Sequence, residues 1–197
     1  MSSTDKTGAP PAELYELGER HRLGQGTIKD ARKACWYYRK IVYAGSAVWD
    51  DVHYPRACYR LAVAMHYAQG QEQDYFEAMS LLDSAKLSFS EMPADAMGDI
   101  DPAEFEREWQ AMDRDLLRAG RALGGHLCPV CGKSMFPHEN SYEICRVCGW
   151  EDDSYQVEFP DDDVGPNQIS LNEARELYRS GQTLFLLEDA PDTDGEA

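Results

Sequence analysis

The sequence predicts an α+β protein: an all-α helical-hairpin repeat domain followed by a small cysteine-knuckle domain with short strands and one helix. Three observations predict it. Apolar residues recur at helical spacing through residues 12–122, part of that stretch repeats itself at a shift of 44 positions, and two C-x2-C pairs lie at 128–148. The chain has 197 residues, 43% of them hydrophobic and 11% aromatic, enough to bury a core. The expected domains are 11–123 and 126–190, with 1–10 and 191–197 disordered.

The first helix, 12–23, places Leu14, Leu17 and Leu23 on one stripe. The second, 29–44, does so with Ala31, Ala34, Tyr38, Ile41 and Val42. Gly24 and Gly26 between them supply a tight turn. A second pair follows at 56–68 and 72–89, with Gly70 in its turn. At the 44-residue shift Tyr15 falls on Tyr59, Leu17 on Leu61, Gly18 on Ala62, Gly26 on Gly70, Asp30 on Asp74 and Ala34 on Ala78. Small residues at matched places let paired helices approach closely, as a repeat requires. Residues 90–100 read as a loop. Asp101, Pro102 and Glu104 then open a capping helix: N-cap, first-turn proline and a glutamate three residues on. Its apolar face is Phe105, Trp109, Met112, Leu116 and Leu123, and Gly124-Gly125 can end it.

Cys128-Pro-Val-Cys131-Gly and Cys145-Arg-Val-Cys148-Gly can deliver four thiolates to one tetrahedral ion. Gly132 and Gly149 after each pair accept a left-handed turn, so that backbone N–H groups face the sulfurs. The spacer, with Pro137 and Asn140, suits a short hairpin between the knuckles. Zn2+ is the default occupant, making this a zinc-knuckle domain; iron in a rubredoxin-like centre is the rival. A closed four-cysteine set leaves no open coordination position, so its role is structural. His126 and His138 lie near enough in sequence to replace a thiolate, but read better as surface residues. Ser170 and Glu173 form a capping box before a short helix with Leu171, Ala174 and Leu177 on its apolar face.

Charge bounds the partners. The net charge is −17, and residues 151–197 alone carry −12. Such a chain lacks the broad basic surface that nucleic acid or anionic membrane demands. An acidic surface of this kind can dock a basic protein. One stretch runs the other way: residues 20–40 hold Arg20, Arg22, Lys29, Arg32, Lys33, Arg39 and Lys40 against Asp30 alone. That patch reads as a solvated face, or as a grip for an acidic partner. The longest apolar runs are far short of the ~20 residues that span a bilayer, and the N-terminus shows no apolar leader. A cytoplasmic location with reduced thiols is expected, where six cysteines point to metal more than to disulfides. Cys35 and Cys58 read as small buried hydrophobes, although His53 and His66 make a cysteine–histidine pair conceivable. No phosphate loop, dinucleotide fingerprint, H-E-x-x-H or nucleophile elbow is present, so no enzyme is expected.

Two resemblances add to this reading. Ala12, Leu17, Gly18, Gly24, Gly26, Asp30, Ala34, Trp36, Tyr37, Lys40, Ala44 and Gly45 resemble a Sel1-like (TPR-like) repeat. The second unit has Ala62 for the glycine and lacks the tryptophan–tyrosine pair, so two hairpins plus a cap are expected rather than a long solenoid. C-P-V-C-G at 128–132, S-Y-E-I-C-R-V-C-G-W-E-D-D at 141–153 and G-P-N-Q-I-S-L-N-E-A-R at 165–175 resemble the bacterial cysteine-rich CPCC family. Val130 stands where the family name implies a further cysteine. Members of that family are thought to occur beside polymorphic toxins, so the resemblance implies an immunity protein that binds a cognate toxin. The alternative is a zinc-stabilised adaptor that brings two protein partners together.

Overall fold

The computed structural model describes residues 8–186. The expected disorder at 191–197, and most of that at 1–10, lies outside them. The chain divides into two compact units, Met1–Leu116 and Leu117–Ala197. Among the described residues no helix is long and apolar enough to cross a membrane.

The N-terminal unit is built from hairpins α1 (Pro11–Leu23) with α2 (Ala31–Val42) and α3 (His53–His66) with α4 (Tyr75–Glu91), followed by α5 (Pro102–Ala119). The repeat is visible at the level of single bonds. Asp30 caps α2 by accepting from the Lys33 N–H at 3.0 Å, and Asp74 caps α4 by accepting from the Phe76 and Glu77 N–H groups at 3.0 and 2.9 Å. Each first helix ends on a left-handed residue, Gly24 at φ 74° and, 44 positions on, Ala68 at φ 52°. The same closing bond follows both: Gln25 N–H to Arg20 C=O at 3.0 Å, and Gln69 N–H to Ala64 C=O at 2.8 Å.

Packing explains the substitution within the repeat. A Cβ on Gly18 would sit 2.4 Å from the Tyr38 ring, so glycine is required there. In the second hairpin the counterpart of Tyr38 is Leu82, and the counterpart of Gly18 is Ala62; both are fully buried. A smaller partner frees space for the added methyl. The core is completed by Ile41, Tyr59, Leu61, Met65, Ala78 and Ala85.

A polar network runs through it. Arg60 bridges Glu19 at 3.2 Å and Asp99 at 2.8 Å, and the Tyr38 hydroxyl donates to Glu19 at 2.5 Å. Burial drives the Tyr15 hydroxyl up to about 12.

α5 caps the hairpins by side-chain contacts. Phe105 meets Tyr59 at a tilt and Phe89 edge-on, Trp109 Nε1–H donates to Asp83 at 2.7 Å, and His66 Nε2 pairs with Asp115 at 3.0 Å. The expected capping helix is therefore present, with Asp101 accepting from the Ala103 N–H at 3.0 Å. It stops at Ala119, and Gly120–Leu123 continues as a 3₁₀ turn closed by left-handed Gly124. The expected loop at 90–100 contains another 3₁₀ turn, Ala94–Met97, with Arg56 Nε donating to Ala96 C=O at 2.6 Å.

The C-terminal unit holds strands β1 (His126–Leu127) and β2 (Met135–Phe136), paired antiparallel, with α6 (Ser154–Glu158) and α7 (Leu171–Arg179). The expected helix is α7, with the capping box of Ser170 and Glu173 in place; α6 is an additional single turn capped by Asp153. The expected hairpin between the knuckles is corrected. β1 and β2 enclose the first knuckle, and a bridge from Ile144 to Glu151 encloses the second. A C-x2-C-G turn reverses the chain itself, so the strands pair across each knuckle rather than across the spacer. The spacer instead carries Asn140 and Tyr142 at positive φ.

Candidate metal centre

The two knuckles converge. The sulfur atoms of Cys128, Cys131, Cys145 and Cys148 all lie within 4.8 Å of one another. Sγ of Cys128 is 3.6 Å from that of Cys148, and Sγ of Cys131 is 3.6 Å from that of Cys145. Four sulfurs placed about 2.3 Å from a central zinc would stand roughly 3.8 Å apart at tetrahedral angles. The donor set therefore fits a tetrahedral ion, and all four cysteines are free of disulfides.

Each knuckle is closed by the same backbone bond: Gly132 N–H to Cys128 C=O at 2.9 Å, and Gly149 N–H to Cys145 C=O at 2.8 Å. Both glycines have positive φ, 66° and 83°, as the turn demands. The residue two places on then aims its N–H at a sulfur, Lys133 to Cys131 at 3.4 Å. Val147 does the same for Cys145, and Trp150 for Cys148. Hydrogen bonds from Cys128 and the Lys133 N–H hold the Cys131 thiol well below its ordinary range, while the shared protons push Cys128 up. A dication bound among them would favour the thiolate form at every sulfur.

The cluster is walled in. Phe136, Trp150, Leu171, Ala174 and Leu184 pack with Cys128, Cys145 and Cys148, and only Cys131 is partly exposed. Arg175 on α7 donates to Pro129 C=O in the first knuckle at 3.0 Å, and the Leu184 N–H donates to Cys148 C=O in the second at 2.8 Å. One helix and the turn after it thus hold both knuckles. Four thiolates would fill the coordination positions of a tetrahedral ion bound there.

Four side chains that spacing alone could not place complete the support. Asp152 is 1% exposed, whereas an acidic run reads as a solvated loop. It accepts from Ser141 N–H at 2.8 Å, Ser141 Oγ at 2.9 Å and His126 Nε2 at 2.9 Å. His126 is accordingly corrected: it is half-buried and tied to Asp152, not a free surface residue, because β1 carries it over the fold's interior. His138 is exposed and contacts Glu139 C=O. Asn167 pairs with the backbone of Glu151 as a strand would, accepting from its N–H at 2.7 Å and donating to its C=O at 3.0 Å. It also donates to Gln156 at 2.7 Å, and Gln156, fully buried, donates to Ile169 C=O at 3.0 Å.

The other cysteines lie in the N-terminal unit. Cys35 and Cys58 are buried, and burial pushes the Cys58 thiol up to about 12. His53 pairs with Asp51 and His66 with Asp115, while the side chain that hydrogen-bonds the Cys58 thiol is Tyr54.

No curated protein and no solved structure shows a significant match to the chain. Two family models do match. The model described as Sel1 repeat matches residues 14–46 and 55–87. The model described as cysteine-rich CPCC matches residues 126–182, the stretch that folds around the four sulfurs. Along the chain, two stretches similar to Sel1 repeats thus precede one similar to the cysteine-rich CPCC family.

Proposed function

We propose that this is a non-catalytic, cytoplasmic immunity protein: it binds and neutralises a cognate toxin, and a Zn2+ held by Cys128, Cys131, Cys145 and Cys148 keeps its C-terminal domain in shape. Sel1 repeats imply protein–protein interaction in general, and the cysteine cluster can hold a metal ion. The observation that carries the reading is the match to the cysteine-rich CPCC family across 126–182, whose members are thought to occur beside polymorphic toxins. Repeat hairpins suit the role because stacked helices present an extended face to another protein. The domains are taken as 11–123 and 126–190.

The excess negative charge of 151–197 would suit a basic toxin, such as one that acts on nucleic acid. The chain's own residues would then act by occluding the toxin's active site, with no reaction of their own. The test is co-expression with the product of the adjacent gene. Rescue of growth and co-purification in a stoichiometric complex are expected; a neighbour that is not toxic, or toxicity that persists, overturns the reading. Metal analysis of the purified protein checks the ion: one zinc per chain is expected, and iron with visible thiolate absorption would replace zinc.

A second reading, a two-partner adaptor, is favoured by one observation. The chain forms two compact units, and in this reading each would hold a separate protein. Pull-down of several unrelated partners, each retained by one unit, would favour it.

A further inference from the structure

The first hairpin carries a surface that the toxin reading does not use. Its seven cations are not equivalent in the folded protein. Arg22 is paired with Glu19, Arg39 donates to Gln71, and Lys40 lies 4.2 Å over the Trp36 ring. Arg20, Lys29, Arg32 and Lys33 are exposed, and among the described residues their side-chain charges have no partner. The stretch's one carboxylate, Asp30, caps α2 through the Lys33 N–H, and a single negative charge leaves the tip net positive.

The four unpaired cations are gathered at one end of the hairpin. A Cβ on Gly24 would lie 3.3 Å from Lys29, and one on Gly26 would lie 3.5 Å from the Arg20 guanidinium. Arg32 and Lys33 follow in the first turn of α2, four and three residues before Trp36. The same end exposes apolar side chains, Ile28 at 86% and Leu23 at 47%, and Trp36 in α2 is 44% exposed with Lys40 over its ring.

This surface is held rigid. The Asp30 N–H closes the loop on His21 C=O at 2.9 Å. His21 stacks on Tyr37 with centroids 5.8 Å apart, and Tyr37 meets Trp36 edge-on at 4.9 Å. A fixed aromatic among unpaired cations loses little entropy when covered.

We propose that this tip, centred on Ile28 and Trp36 and ringed by Arg20, Lys29, Arg32 and Lys33, docks an acidic segment of a partner protein that brings its own apolar side chains. Charge complementarity selects the sign of the partner: an acidic segment neutralises four cations that repel one another. The aliphatic residues select its class. Ile28 and Leu23 gain only from covering by apolar groups, which a protein supplies and a phosphate backbone does not. The net charge of −17 on the whole chain further disfavours nucleic acid.

The experiment uses the full chain and a displayed library of short random peptides as probe, with selected peptides then measured by fluorescence anisotropy. The expected pool is rich in Asp and Glu interspersed with Leu, Ile or Phe. Arg32→Glu with Lys33→Glu should weaken binding by at least about tenfold, and raising salt should weaken it for the wild type. Ile28→Ser alone should weaken it severalfold, and because Ile28 is 86% exposed the change leaves the core intact. Circular dichroism melting confirms that each variant is folded.

Four results would overturn the proposal. These are a selected pool that is not acidic, peptides that bind the variants as well as the wild type, and a single-stranded oligonucleotide of equal charge that outcompetes the peptides. The fourth is self-association through this face, seen as a doubled sedimentation mass that Arg32→Glu abolishes.

Discussion

The N-terminal unit buries a face on each of five helices, and its centre is made of Ile41, Leu61, Met65 and Leu82 with two tyrosines among them. Among the described residues, the C-terminal unit has two strands of two residues each, a helix of five and a helix of nine. Elements that short cannot pay for the loss of chain entropy by apolar burial alone. Four sulfurs, a buried aspartate and a chain of amides take the place of a larger core. The comparison teaches where each half is vulnerable: the first to lost volume, the second to a lost ion or a lost hydrogen-bond partner.

The sharpest break in that comparison is metal removal. A chelator, or Cys145→Ser with Cys148→Ser, should unfold the C-terminal unit, since a structural zinc contributes on the order of 10 kcal/mol. The helical signal of the N-terminal unit should persist, read by circular dichroism beside the fluorescence of buried Trp150. A single transition lost from both units together would show that the halves are not separate in stability. The next effect is the reverse case. Leu61→Ala opens a cavity in the repeat core and should cost about 2–5 kcal/mol in denaturant unfolding, with zinc affinity unchanged.

Smaller effects probe the polar scaffold. Asn167→Ala removes both backbone bonds to Glu151 and the bond to Gln156, and should cost about 1–3 kcal/mol in the C-terminal transition alone. Asp74→Ala uncaps α4 and should cost about 1 kcal/mol in the N-terminal transition. The smallest effect is a pH dependence. Burial raises the Cys58 thiol from 9.0 to about 12, so the unfolded chain ionises first. The stability contributed by Cys58 is full below 9.0 and declines as pH rises towards 12. Denaturant unfolding at rising alkaline pH should show this loss in the wild type and a shallower one in Cys58→Ala.

Much of this was legible residue by residue. The 44-residue shift put Asp30 and Asp74 at matching places, which the structure shows to be the caps of α2 and α4, and the C-x2-C-G words anticipated left-handed glycines at 132 and 149. The capping box at Ser170 was readable because caps are local, set within four residues. The partners of Asp152, Asn167 and Arg175 were not readable. Each reaches across 11 to 46 residues, and an acidic run or an amide in a turn looks the same whether it is solvated or buried. The one hairpin expected between the knuckles was misplaced for a related reason: strands of two residues carry too little periodicity to show a register.

The sequence by itself determined the local elements: which segments coil, where they are capped, and which four thiols share a spacing suited to one ion. Those features depend on neighbours within a few positions. Only the tertiary structure decided that Asp152 is interior, that α7 and the turn after it hold the two knuckles, and that four of the seven hairpin cations stand unpaired at the end that exposes Ile28. Burial and charge pairing are properties of what the rest of the chain brings alongside, and no spacing along one segment encodes them.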